Sequence, residues 1–132
     1  MSTKQSLKSS HDVDRVAAFL EARAKESHRD RAPIFYNQLA TELDFPSVDQ
    51  YWLSHPLCGI FETLDVQDVE SGRPLRTALV VNKEFGLPGE GFFKTMARLR
   101  GARKPATDVV QRMTLWTEEL DRLLKFYQHT TT

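Results

Sequence analysis

Cysteine is almost absent from this chain of 132 residues, which holds only Cys58. A single thiol excludes an intramolecular disulfide and a metal site built from several cysteines. Long apolar runs are absent too, because the longest aliphatic run, Ala78 to Val81, is far shorter than the ~20 residues that cross a membrane. Met1 to Ser10 is polar and lacks the apolar core of a secretory signal. The sequence therefore predicts a cytoplasmic protein with no membrane partner.

An excess of charge of one sign is also missing, since 18 basic and 18 acidic side chains give a formal net charge of zero. This excludes the globally positive field that marks many dedicated nucleic-acid-binding proteins. The composition is 40% hydrophobic and 27% charged, which is typical of a globular domain. We expect one domain over residues 11–129, preceded by a flexible tail over residues 1–10.

The neutral sum conceals large blocks of opposite charge. Residues 32–72 contain seven acids and no Lys or Arg, whereas residues 73–104 contain eight bases and two acids. One interpretation is that the two blocks neutralise each other inside the folded domain. The other is that at least one block faces a charged partner, for which such asymmetry is an accepted indication.

Apolar periodicity predicts a mainly α-helical chain with a small β-hairpin. In chain order, the predicted elements are a helix over 11–29, a short strand over 34–36, helices over 38–43 and 47–64, a hairpin over 75–88, and helices over 92–99 and 107–128. The helix over 47–64 is expected to bend or restart at Pro56. This order is that of a winged helix-turn-helix core flanked by amphipathic N- and C-terminal helices.

The apolar residues of the 107–128 helix are spaced alternately by four and three residues, from Val109 to Tyr127. This spacing is a heptad seam. The seam predicts that the helix packs against the first helix of the same chain. A homodimer through 107–128 is the alternative.

Two stretches of the chain resemble the DNA-binding half of the alkylguanine-DNA alkyltransferases and the alkyltransferase-like proteins. Tyr36 to Ala40 resembles the tyrosine-led opening of the first motif helix in that family. Pro74 to Asn82 is similar to its proline-led strand, which ends in valines and a polar turn, and Gly86 and Gly91 fall in the wing that follows. The resemblance covers residues 34–101 and implies a winged-helix domain that binds DNA.

The same resemblance argues against alkyl transfer. The catalytic Pro-Cys-His-Arg motif of the family would fall near Arg76 to Leu79, where this chain has Arg-Thr-Ala-Leu. A threonine without a neighbouring base does not replace the thiolate nucleophile. The stretch that matches the recognition helix of the family, Ser47 to Leu64, contains acids and no base, which disfavours its approach to phosphates. We therefore expect a non-catalytic module.

The basic block supplies the predicted nucleic-acid interface. Lys94 and Arg98 are four residues apart and share a helix face, and further bases follow at the helix end, where positive charge also suits the helix dipole. The predicted nucleic-acid-binding residues are Arg76, Lys83, Lys94, Arg98, Arg100, Arg103 and Lys104. DNA is the expected partner, contacted through the wing and the 94–104 segment.

The acidic block supports a second hypothesis, in which an adaptor or inhibitor uses the acidic helices over 47–70 against a basic surface of a partner protein. Aromatic side chains are common at binding hot spots, although they also fill cores. The predicted partner-binding residues are Asp49, Tyr51, Trp52, Glu62 and Asp65. The carboxylates of residues 62–70 are interpreted as a solvated acidic helix face.

No cofactor or metal is predicted. His55 and Cys58 have a spacing that would place two ligands on one helix face, but no further pair accompanies them. A surface histidine and a buried thiol explain them better. A Cys-His nucleophile would also need an orienting carboxylate and oxyanion donors.

Overall fold

A computed structural model describes residues 10–48 and 52–129 of the chain. The tail predicted over residues 1–10 lies outside the described residues, except for Ser10, with which the first helix begins. In these ranges the elements are α1 (Ser10–Glu26), β1 (Ile34–Phe35), α2 (Tyr36–Glu42), α3 (Pro56–Ser71), β2 (Val80–Val81), α4 (Glu90–Leu99) and α5 (Val109–His129). Short 3-10 turns occupy Trp52–Ser54 and Arg76–Leu79. The predicted mainly α-helical fold with a small β element is confirmed.

The β element is a parallel pair and not the predicted hairpin. Ile34 of β1 lies opposite Val80 of β2, and Phe35 lies opposite Val81. The residues before β2 form a 3-10 turn, so only two residues remain extended. The residues after β2 fold back in a closed turn, in which Asn82 N–H donates to Leu87 O at 2.8 Å. The prediction of a hairpin wing over residues 75–88 is therefore wrong. The rest of the winged-helix assignment stays a prediction.

α3 begins at Pro56, where the sequence predicts that the helix over 47–64 bends or restarts. His55 caps it, because its Nδ1 accepts a hydrogen bond from Leu57 N–H at 3.1 Å and its Nε2 lies 2.7 Å from the carbonyl oxygen of Pro46. Proline at the first helical position fixes the backbone for a helix start. The predicted surface histidine is therefore buried and has a structural role.

The hydrophobic core lies where α1, α3 and α5 surround residues 75–81. α1 contributes the predicted stripe from Val13 through Leu20 to Ala24. Residues 75–81 are buried throughout, and they connect the helices because side chains from other elements bind their backbone. Leu75 N–H donates to Glu119 Oε2 at 2.7 Å, and Trp116 Nε1 donates to Ala78 O at 2.8 Å.

The C-terminal half of α5 packs against α1, as the heptad seam predicts for a single chain. Leu120, Leu123 and Tyr127 of this seam are buried. Val109 and Met113 belong to the same seam but stay exposed. The homodimer through 107–128 therefore stays a prediction, and it would concern only the N-terminal half of the helix.

A charged cluster is buried beside the 3-10 turn at 76–79. Arg76 is 3% exposed, and Asp68 on α3 is fully buried. Asp68 accepts hydrogen bonds from Arg76 N–H at 2.9 Å, Arg76 Nε at 3.1 Å and Arg73 Nε at 3.0 Å. Arg76 Nη1 reaches Glu21 of α1 at 2.6 Å. This cluster ties α1, α3 and residues 73–76 together.

We expect Arg76→Met to lower the free energy of unfolding by roughly 3 kcal/mol or more, because it removes a cation that compensates the buried Asp68 carboxylate. Urea denaturation measures this difference. The control is Arg100→Met, which removes only an exposed ion pair with Glu118 and is expected to cost under ~1 kcal/mol. Equal losses in the two variants would contradict this account of the cluster.

Candidate functional site

Six of the seven predicted nucleic-acid-binding residues are exposed: Lys83, Lys94, Arg98, Arg100, Arg103 and Lys104. Lys94 and Arg98 lie one turn apart on α4. Gly101, with a φ of 68°, ends the helix in a left-handed conformation and leads the chain into the loop that carries the last two bases. The structure therefore places five cations on and directly after α4. Lys83 lies in the turn after β2 and not on a hairpin.

Arg76 is a correction to the predicted interface. Its guanidinium group is buried against Asp68 and Glu21, so it is not available to contact a phosphate. The reason is tertiary, because residues 75–81 form part of the core and not the edge of a wing. The two charge blocks thus neutralise each other in part, through Arg73 and Arg76.

The bases on and after α4 remain largely free of such pairing. Arg100 forms an ion pair with Glu118 at 3.3 Å, in which both side chains are about half exposed. Among residues 10–48 and 52–129, no carboxylate lies within 4.0 Å of the five other exposed bases of the predicted interface, which are Lys83, Lys94, Arg98, Arg103 and Lys104. An exposed pair of this kind contributes little and is easily exchanged for another anion. The surface is therefore open to an anionic partner.

Few of the residues predicted to bind a basic partner protein are described and exposed. Asp49 and Tyr51 lie outside the described residues. Asp65 is 7% exposed and Asp68 is fully buried. The prediction that the carboxylates of residues 62–70 lie on a solvated helix face is therefore wrong for these two residues. Glu62 is exposed, as predicted. Among the described members of the predicted set, only this glutamate offers an accessible negative charge.

Trp52 is half-buried in an aromatic cluster. Its ring lies 5.2 Å from that of Tyr36, 5.6 Å from that of Phe61 and 5.8 Å from the imidazole of His55, measured between ring centroids. The Tyr36 hydroxyl accepts a hydrogen bond from Gly89 N–H at 2.9 Å, and burial raises the pKa of Tyr36 to about 12. This cluster orders the turn before α3 and forms one wall of a cleft.

The cleft lies between α3 and α4 and has a volume of about 520 Å³. Trp52, Phe61 and Phe92 contribute aromatic surface to it. A second cavity of about 250 Å³ shares Asp65 and Arg98 with it and continues along the two helices. The cleft of about 520 Å³ is large enough to hold a small molecule.

Asp65 is the buried polar group of this cleft. Its Oδ1 accepts a hydrogen bond from the Thr77 hydroxyl at 2.7 Å, and its Oδ2 lies 3.4 Å from the Thr95 hydroxyl. Burial raises the pKa of Asp65 to about 7, and the negative charge of Asp68 adds to the increase, while Thr77, Thr95 and Arg98 oppose it. Near neutral pH this carboxyl group is divided between its protonated and ionised forms.

Thr77 and Thr95 are not among the predicted site residues, and Asp65 is predicted on a solvated helix face, whereas the structure buries it in the cleft. The pattern that could have located the aspartate is its place on the apolar stripe of α3, four residues after Phe61 and directly after Leu64. Nothing in the sequence pairs it with threonines 12 and 30 residues away, because only the packing of α4 and residues 75–81 brings them together.

Comparisons of the chain with protein-family models, curated proteins and solved structures find no match. The resemblance to the alkyltransferases therefore rests on the residues quoted above. Arg76 to Leu79, at the position of the catalytic motif of that family, form a buried 3-10 turn. Within the described ranges, no three potential metal ligands come together, and no helix is long and apolar enough to span a bilayer.

The raised pKa of Asp65 predicts a pH dependence of stability. The folded protein holds a proton on Asp65 that the unfolded chain releases near pH 4, so the contribution of Asp65 to the free energy of unfolding decreases as the pH rises from about 4 to about 7, by at most roughly 4 kcal/mol. Asp65→Asn is expected to remove this component. The measurement is urea denaturation at a series of pH values, with the exposed Glu62→Gln as control. An unchanged slope in the asparagine variant would refute the prediction.

Proposed function

We propose that this chain is a non-catalytic module that binds nucleic acid, with DNA as the expected form, through the basic residues on and after α4. The observation that carries the proposal is the exposure of Lys94, Arg98, Arg103 and Lys104 without a carboxylate partner among the described residues. Arg100 adds a fifth cation, whose exposed pair with Glu118 a phosphate would readily replace.

The chemistry of this surface favours the phosphate backbone over base edges. The cations lie on one side of α4, at its end and in the loop that follows. The stretch that resembles the recognition helix of the alkyltransferases, Ser47 to Leu64, contains no base. Backbone contacts of about five cations correspond to non-specific binding, with dissociation constants of ~10⁻⁴ to 10⁻⁶ M that depend strongly on salt. We therefore propose binding with little sequence preference.

The alternative, capture of a basic protein surface by the acidic helices, has less support. Its Asp65 is buried and its Trp52 is half-buried, which leaves Glu62 as the accessible acid of the described set. Both hypotheses predict a charged partner, but they predict opposite signs.

The decisive measurement is a salt titration of binding to a short labelled duplex, followed by fluorescence anisotropy. The logarithm of affinity should decrease linearly with the logarithm of salt concentration, with a slope of about −4 to −5 if each cation contacts one phosphate. Arg103→Gln combined with Lys104→Gln should reduce the steepness by about 2 and weaken binding to all sequences alike.

The matched control is Lys25→Gln combined with Lys125→Gln, which removes the same charge from exposed positions on α1 and α5. It should leave the slope nearly unchanged. If the two double variants lose affinity equally, the binding is a response to net charge and not to this surface. If the unaltered protein shows no binding at low salt, the proposal is wrong.

A further inference from the structure

Asp65 and Asp68 lie three residues apart on α3 and are both buried, but they differ in the groups that compensate their charge. Asp68 is surrounded by compensating groups, two arginines and a backbone N–H. Asp65 has no Lys, Arg or His within 4.0 Å among the described residues, and its hydrogen-bond partners are two hydroxyl groups. A buried carboxyl group without a cation costs stability, and such groups are concentrated at functional sites.

The Oδ2 atom of Asp65 also lacks a good donor. The Thr95 hydroxyl has one hydrogen, and it lies 3.0 Å from Gly91 O but 3.4 Å from Asp65 Oδ2. The shorter contact is the better hydrogen bond, so Oδ2 keeps most of its accepting capacity. Asp65 lines both cavities between α3 and α4, so a bound molecule would supply the missing donor there.

The edge of the same cleft has the opposite charge. Lys94 and Arg98 are exposed and line it, whereas Phe61 and Phe92 are buried and give it apolar surface. A ligand that satisfied all of these groups would place an N–H cation at Asp65, an apolar body against the aromatic rings and an anion between the two bases.

We propose that the α3–α4 cleft binds a small zwitterionic molecule whose amine or amidine group pairs with Asp65 and whose anionic group meets Lys94 and Arg98. This inference goes beyond nucleic-acid binding, because Asp65 is buried and has no part in a phosphate-binding surface.

Binding of such a ligand depends on pH, because its cation pairs with the ionised form of Asp65. With a pKa of about 7, the ionised fraction rises about tenfold between pH 6 and pH 8, and the affinity should rise with it. The charged and titratable groups that face Asp65 or line its cavities are Tyr36 of α2, Cys58, Glu62, Asp68 and Glu70 of α3, and Glu90, Lys94 and Arg98 of α4.

The test uses three probes on the whole chain: 4-amidinobenzoate, benzamidine and benzoate, each titrated by calorimetry at pH 6 and pH 8. We expect 4-amidinobenzoate to bind most tightly, and more tightly at pH 8. Asp65→Asn should weaken its binding at least ~10-fold, since a charge-assisted hydrogen bond is lost. Lys94→Gln combined with Arg98→Gln should remove its advantage over benzamidine. The control Glu84→Gln removes an exposed carboxylate in the turn after β2 and should change nothing.

The proposal is overturned if the asparagine variant binds 4-amidinobenzoate as tightly as the unaltered protein, or if no probe binds at millimolar concentration. Should Asp65→Asn fail to fold, the carboxyl carbon resonance of Asp65 in the unaltered protein gives the answer. A bound amidine must lower the midpoint of its titration, and an unchanged midpoint under saturating probe refutes the site. Asp65→Asn should leave DNA affinity unchanged, so this proposal and the nucleic-acid proposal fail separately.

Discussion

The buried pairing of Asp68 with Arg73 and Arg76 is the constraint on which the arrangement of this protein depends. It fixes the chain at residues 73–76 against α3, and the contact of Arg76 with Glu21 extends it to α1. From there the chain runs through the core to β2, which reaches the parallel position beside β1. Because removing one partner of a buried ion pair is much more costly than removing an exposed one, the path of residues 73–81 is strongly determined.

That path also creates the contrast between the two aspartates of α3. Residues 73–76 deliver two cations to Asp68, but one residue later the chain offers Asp65 only the hydroxyl of Thr77. A fold under selection for stability alone would not retain a nearly uncompensated carboxyl group, since an apolar residue would suit the position better. Its position in a cleft with aromatic walls and a basic edge is the basis of the ligand site proposed above.

Charge is therefore used in two ways within one neutral chain. Arg73 and Arg76 form ion pairs with Asp68 inside the protein, whereas the bases from Lys94 to Lys104 extend into solvent. α4 separates the two uses, because it turns Phe92 and Phe93 towards the core and Lys94 and Arg98 away from it. The proposed nucleic-acid surface and the proposed ligand cleft share this exposed edge of α4 and differ in whether Asp65 takes part.

The amino-acid sequence was sufficient to predict the helices, the stripe of α1, the seam of α5 and the basic character of residues 94–104, because these depend on periodicity and composition within one segment. It did not determine the parallel strand pairing, the burial of Arg76 and Asp68 or the environment of Asp65. Each of these depends on groups distant along the chain, such as Ile34 beside Val80 or Thr95 near Asp65. Only tertiary packing decides whether a charged residue on a helix stripe meets solvent, a counterion or a hydroxyl group, since its cost in each setting depends on neighbours that the local pattern does not contain.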